Sequence, residues 1–294
     1  MVLNFPGDDG EEYKSIFPHN RRYNEGINEK GIRAGQATVV VALDGSGDAE
    51  TLTEGVNLLP TNGGTIFVKE GTYPMKILTI SGFDNVSIEG VGFASHLKLE
   101  DSQNTKLLDI ENCDNFTIRN IQLDGNKANQ SSGNSNVLTI DSDGGTAKDF
   151  FVGHCYLHDG RGAGITAANT ANGIITNCFS YNNAGTGIEG GGSGRMTISN
   201  NESYSNTSRG IKLDVDDNCI ISGNACYSNT SNGIETGNNA DKNTISDNQC
   251  FSNAAGIVIG ADRNIVTGNT ALGNSGAQIT DNGTNTQIGH NITI

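Results

Sequence analysis

Two groups of ionisable residues in this sequence have the types and spacing to do acid–base chemistry. The first is the run His154-Cys155-Tyr156-Leu157-His158-Asp159-Gly160-Arg161. Histidine changes charge near neutral pH, so His158 beside Asp159 can move a proton while Arg161 neutralises a substrate carboxylate. Removing the proton next to the carboxylate of a sugar acid, in β-elimination or C5 epimerisation, needs that combination. His154 reads as structural. The second group brings Lys212 and Asp214 to the candidate catalytic set, with Glu189, Arg209 and Glu235 as candidate substrate-binding residues. Lys212 and Arg209 would hold a sugar carboxylate while Asp214 acts as acid, base or cation ligand. The acids Asp214, Asp216 and Asp217 together form an oxygen-rich set suited to Ca²⁺. Each group also has a plainer reading. His158 stands at the repeat position of Tyr181, Tyr204 and Tyr227 and can serve as a stacking ring. Glu189, Lys212 and Glu235 can form a surface charge ladder worth about 0–1 kcal/mol per pair, and the three loop acids can simply be solvated.

What positions these residues is a repeat. The isoleucine of a Gly-Ile or Gln-Ile step returns at Ile165, Ile188, Ile211, Ile234, Ile257 and Ile279, in steps of 23, 23, 23, 23 and 22 residues. A second ladder runs through Ile175, Ile198, Ile221, Ile245, Val266 and Ile288, and a third through Asn183, Asn206, Asn229, Asn253 and Asn274. Each period holds short apolar runs separated by Gly, Asn, Ser and Asp, too short for a helix pair and rich in turn formers. A coil of parallel strands satisfies this pattern, because equivalent residues of successive turns then stack about 4.8 Å apart and bury one another. The fold expected is all-β: a single-stranded right-handed parallel β-helix with coils of about 23 residues. Side-chain alternation puts Ile211 and Leu213 inside and Lys212 and Asp214 outside. Glu189 and Glu235 should then stack above and below Lys212.

Residues 1–36 are polar and aperiodic and read as an arm or attachment segment, leaving 37–294 for the β-helix. Residues 37–44 read as a first strand. Residues 48–59 carry Leu52, Val56 and Leu59 at helical spacing, with Asp48 as the expected cap and Pro60 as the stop. This helix would cover the open apolar end of the first coil. Asp44-Gly45-Ser46-Gly47-Asp48, the helix, Gly63-Gly64-Thr65-Ile66-Phe67-Val68 and Gly71-Thr72-Tyr73 together resemble the opening of pectate-lyase-like β-helix proteins. The later Gly-Ile, Asn-x-Ile and Tyr-Ser-Asn phrases are similar to the CASH-type repeats of carbohydrate-binding proteins and sugar hydrolases. The resemblance covers roughly residues 40–294 and implies a polysaccharide partner. It also implies that the polar stretch 124–136, read as an insertion between coils, can wall a substrate groove; a passive surface loop is the other reading.

Composition narrows the field. A net charge of −15 argues against nucleic acid as partner, while a local basic patch or bound cation still permits an acidic glycan. The six cysteines lack paired metal spacing; Cys226 and Cys250, at the repeat position of Ser180, Ser203 and Ala271, read as small stacked residues that can in principle pair as a disulfide. No apolar run reaches membrane-spanning length, and no signal peptide is visible in the chain as given. Two functional readings follow. The first is a polysaccharide-modifying enzyme on uronic-acid-containing glycans, a lyase or C5-epimerase before a glycoside hydrolase, with Ca²⁺ as its one candidate cofactor. The alternative is a non-catalytic carbohydrate-binding adhesin or viral tailspike, trimeric if a spike; a purely structural solenoid comes third. All of these point to an extracellular, cell-surface or virion location.

Overall fold

The computed structural model describes residues 37–133, 135–141, 147–192 and 194–293. The arm expected over 1–36 lies outside them. The chain winds as a parallel β-helix whose cross-section has three faces. One face is a sheet of nine parallel strands, from Leu78–Ser81 through Ile165–Ala168 and Ile211–Leu213 to Ile279–Asp281. The other two stand side by side, and two long strands, Val86–Leu99 and Thr117–Asp124, run across both. The Glu89 end of the first pairs with Gly64–Val68, and its Leu99 end pairs with Gly71–Met75. Further along, each face has its own short strand per coil, such as Ile174–Thr176 on one and Phe179–Tyr181 on the other.

The isoleucine ladders run where the period places them. Ile165, Ile188, Ile211, Ile234, Ile257 and Ile279 are successive register partners, as are Ile175, Ile198, Ile221, Ile245, Val266 and Ile288. All but the last of each ladder are buried in one continuous apolar core. The glycine before each isoleucine from Ile165 to Ile257 is there for closeness: a Cβ at Gly187 would lie 2.0 Å from Ser203 Oγ. Asparagines resolve the problem of burying the turns. Both the main-chain N–H and the side-chain amide of Asn183 donate to Oδ1 of Asn206, at 3.1 Å each, and the pattern continues to Asn229, Asn253 and Asn274. A second amide ladder, Asn201, Asn224, Asn248, Asn269 and Asn291, does the same at another corner.

The helix occupies Leu52–Asn57, shorter than the 48–59 segment, and its cap is Thr51 rather than Asp48. Thr51 accepts the N–H of Glu54 while the Glu54 carboxylate accepts that of Thr51, a reciprocal capping box. Asp48 instead accepts the N–H of Val40 at 2.8 Å. Leu52, Val56 and Leu59 are buried as the spacing requires. All six cysteines are free and buried, including the register partners Cys226 and Cys250.

Candidate active site

The face built from Gly71–Met75, the Leu99 end of Val86–Leu99, the Asp124 end of Thr117–Asp124, Tyr156–His158 and Phe179–Tyr181 carries two outward columns. Leu97, Leu123 and Leu157 are buried in the core, so their neighbours point out. Register sets His96 beside Gln122, then Tyr156 and Phe179. In the adjacent column Lys98 precedes Asp124, His158, Tyr181, Tyr204, Tyr227 and Phe251. The rings from His158 to Phe251 stack in an unbroken ladder with centroids 4.8 to 5.1 Å apart. Phe179 stacks on Tyr156, and Phe93, more than half exposed, meets Tyr156 edge-on at 5.1 Å.

Where the aromatic ladder ends, a polar cluster begins. His158 Nδ1 lies 2.7 Å from Asp159 Oδ2 and its Nε2 lies 2.9 Å from the Gln122 amide nitrogen. The carboxylate fixes the proton on Nδ1, which leaves Nε2 with a lone pair and makes the ring a base. Asp124 Oδ1 accepts the N–H of Asn126 at 2.7 Å, while Oδ2 faces His96 Nε2 at 3.4 Å and Lys98 Nζ at 3.5 Å. Burial raises the Asp124 pKa, but the His96 ring, the Asn126 N–H, His158 and Lys98 together outweigh it and hold the carboxyl below its ordinary range. Next in the column, burial first and then Tyr204, Asp159 and Asp124 push the Tyr181 phenol up to about 12, so it keeps its proton at neutral pH. The arrangement therefore holds a base, a fixed carboxylate, an ammonium and a protonated phenol along one face of the β-helix.

Of the sequence candidates, the structure brings His158 and Asp159 together. Arg161 is turned elsewhere: its guanidinium donates to the carbonyls of Gln130 (2.7 Å) and Gly133 (3.4 Å). It thereby ties down the 124–136 stretch, in which Asn126 and Gln130 are buried and hydrogen-bonded. Asp124 does not open an insertion; it closes the strand Thr117–Asp124.

The second candidate group sits on the nine-stranded face. Glu189, Lys212 and Glu235 stack in register as expected. Lys212 Nζ lies 3.4 Å from both Glu189 and Asp214, and Arg209 Nε lies 2.6 Å from Glu235. The hydrogen bond to Glu235 raises the Arg209 pKa further. Asp216 is buried and accepts the N–H of Asp214 at 3.0 Å, whereas Asp217 accepts that of Asp241 at 2.7 Å. Asp214, with its side chain more than half exposed, turns to Lys212 instead, so the three acids face different partners. Among the described residues, no hydrogen bond or ion pair joins this group to His158.

His96, Lys98, Gln122 and Asp124 escaped the sequence reading. The signal that finds them is register: stepping back one coil from His158 gives Asp124, and one more gives Lys98.

Residues 138–293 match the family described as right handed beta helix region. The chain belongs to that right-handed β-helix family. Among solved structures, this β-helix is similar to the A-module of Azotobacter vinelandii mannuronan C-5 epimerase AlgE6. The TM-score is 0.70 at 19% identity, over 78% of this chain and 67% of that one. It is similar to the Dettilon tailspike protein at TM-score 0.60 and 16% identity, over 71% of this chain and 44% of that one. Pectate lyase Pel9A follows at TM-score 0.56 and 13% identity, over 82% and 73%. At such identities the likeness is one of fold, and of the pectate-lyase-like kind. No curated protein sequence matches the chain.

Proposed function

We propose that this β-helix is a polysaccharide-modifying enzyme of the lyase or C5-epimerase type, acting on uronic-acid-containing glycans. The observation that carries the reading is the His158–Asp159 dyad opening onto Asp124, Lys98 and Gln122 at the end of an aromatic ladder. His158 Nε2 takes the proton from the carbon bearing the carboxylate. Lys98 offsets the charge that develops on that carboxylate, the step for which preset positive charge counts most. Tyr181, protonated at neutral pH, supplies a proton to the leaving glycosidic oxygen in a lyase, whereas in an epimerase solvent water returns the proton to the opposite face of the carbon. Phe93, Tyr156 and Phe179 give the sugar rings an apolar wall. The mannuronan C-5 epimerase and the pectate lyase among the structural neighbours support this reading. The tailspike neighbour favours a second one, a non-catalytic spike that binds glycan on the same face.

Incubation with alginate, pectin, polygalacturonate and hyaluronan, with and without Ca²⁺, decides between them. Unsaturated-product absorbance with new reducing ends marks a lyase, new ends alone a hydrolase, and solvent deuterium incorporation without new ends an epimerase. His158→Ala is expected to lower turnover by about 10²-fold or more. Lys212→Ala, whose ion pairs lie on another face, should leave turnover within twofold. Turnover by His158→Ala equal to that of the parent would sink the assignment, and silence of the parent in all assays with retained glycan binding would establish the spike.

A further inference from the structure

The polar cluster has a feature that proton transfer does not use. His96, Asp124 and His158 each offer a donor atom, and the three donors lie within 4.8 Å of one another. His96 Nε2 is buried and, among the described residues, makes no hydrogen bond; it stands 3.4 Å from Asp124 Oδ2 without hydrogen-bond alignment. A buried ring nitrogen that meets the carboxylate only at this distance leaves its hydrogen-bonding capacity unused, and a cation between the two would satisfy both. Each donor is also held from behind. Asp159 holds Nδ1 of His158, the N–H of Asn126 holds Oδ1 of Asp124, and Thr72 Oγ1 lies 3.4 Å from Nδ1 of His96. Such outer contacts orient metal-ligating side chains and fix the tautomer that exposes the ligating nitrogen.

We propose that His96, Asp124 and His158 bind one divalent transition-metal cation of the Zn²⁺, Co²⁺ or Ni²⁺ class, and that the bound ion closes the site to glycan. Two imidazoles and one carboxylate select such ions over Ca²⁺ and Mg²⁺, which take oxygen ligands. Bonds of about 2.0–2.2 Å place neighbouring ligand atoms roughly 3.0–3.5 Å apart. His96 Nε2 and Asp124 Oδ2 already stand at that spacing, and a small ring rotation brings His158 Nε2 in. Two groups give way: the Gln122 amide leaves His158 Nε2, and Lys98, whose side chain is 39% exposed, withdraws into solvent. Metal binding thus occupies the lone pair of the base and expels the ammonium, so it inhibits. The inhibition rests on the catalytic reading given above; the binding does not.

The test uses the full chain without a polyhistidine tag. Zn²⁺ is titrated by calorimetry and Co²⁺ by its visible absorption, in the absence of any glycan. One equivalent is expected to bind, with His96→Ala and His158→Ala each weakening it by at least tenfold. Asp159→Asn should weaken it by roughly 10- to 100-fold through the outer contact. His154→Ala and His290→Ala should bind as the parent does. Asp124→Asn, nearly identical in shape, guards against loss of fold, checked by the far-ultraviolet circular dichroism melt. No saturable binding, or binding unchanged in both His96→Ala and His158→Ala, overturns the proposal. Metal binding by a chain silent on every glycan would leave the site standing and refute only the enzymatic reading.

Discussion

At the scale of single residues, the buried asparagines have the sharpest energetics. Asn206 receives two donors from Asn183 and gives its own amide to the Ser180 carbonyl, Ser203 Oγ and Asn229 Oδ1. Truncating it leaves buried donors and acceptors above and below without partners. Asn206→Ala is therefore expected to destabilise by about 1–3 kcal/mol, read from the urea midpoint. An equal loss for the outward-pointing Lys212→Ala, whose ion pairs should be worth about 0–1 kcal/mol, would contradict this ranking. The candidate site is ruled by the same logic of partners. His158 was visible in the sequence because it interrupts the Tyr181, Tyr204, Tyr227 ladder. His96 and Asp124 were not, because their coils are irregular: Lys98, Asp124 and His158 follow one another at intervals of 26 and 34 residues instead of 23.

At the scale of elements, the short helix at the N-terminal end of the coil stack depends on its cap. Six residues form few internal hydrogen bonds, so the helix Leu52–Asn57 relies on the Thr51–Glu54 box and on burial of Leu52 and Val56. Thr51→Ala should cost about 1 kcal/mol. The N–H groups of Glu50 and Thr51 hold the Glu54 carboxyl below its ordinary pKa. A depressed carboxylate contributes stability that is present above its unfolded-state pKa and lost as pH falls through the folded value. Acid should therefore loosen this helix. Amide hydrogen exchange in residues 52–59, followed across the acidic range, should show protection falling with pH in the parent and flat in Glu54→Gln. The two long strands explain another part of the site. Register shifts between Glu89 and Gly92 and between Gly92 and His96 let Val86–Leu99 bend from one face to the next. That bend delivers His96 and Lys98 to Asp124.

At the scale of the whole molecule, each regular coil pairs with the coils before and after it, so stability should be close to a sum over coils and their interfaces. Excising residues 208–230, one 23-residue period, joins Thr207 to Ser231 and preserves every ladder in register. The shortened chain should fold cooperatively with a slightly lower Tm. Removing only residues 208–218 would shift the inward isoleucines out of register and should abolish the cooperative transition. The opposite result in thermal melts would refute the stacking account.

The amino-acid sequence by itself determined the periodic part: the parallel coil, the ladder isoleucines Ile165 to Ile279, the asparagine turn at Asn183 to Asn274, and the outward stack of Glu189, Lys212 and Glu235. A fixed interval repeats one environment, so the residue types alone declare which side of the wall they occupy. Only the tertiary structure assembled the candidate site. Coils of unequal length bring His96, Asp124 and His158 into one cluster and leave Lys212 and Asp214 on another face, paired among themselves. Where loops vary in length, register is set by pairing across coils, and no local pattern in the chain records it.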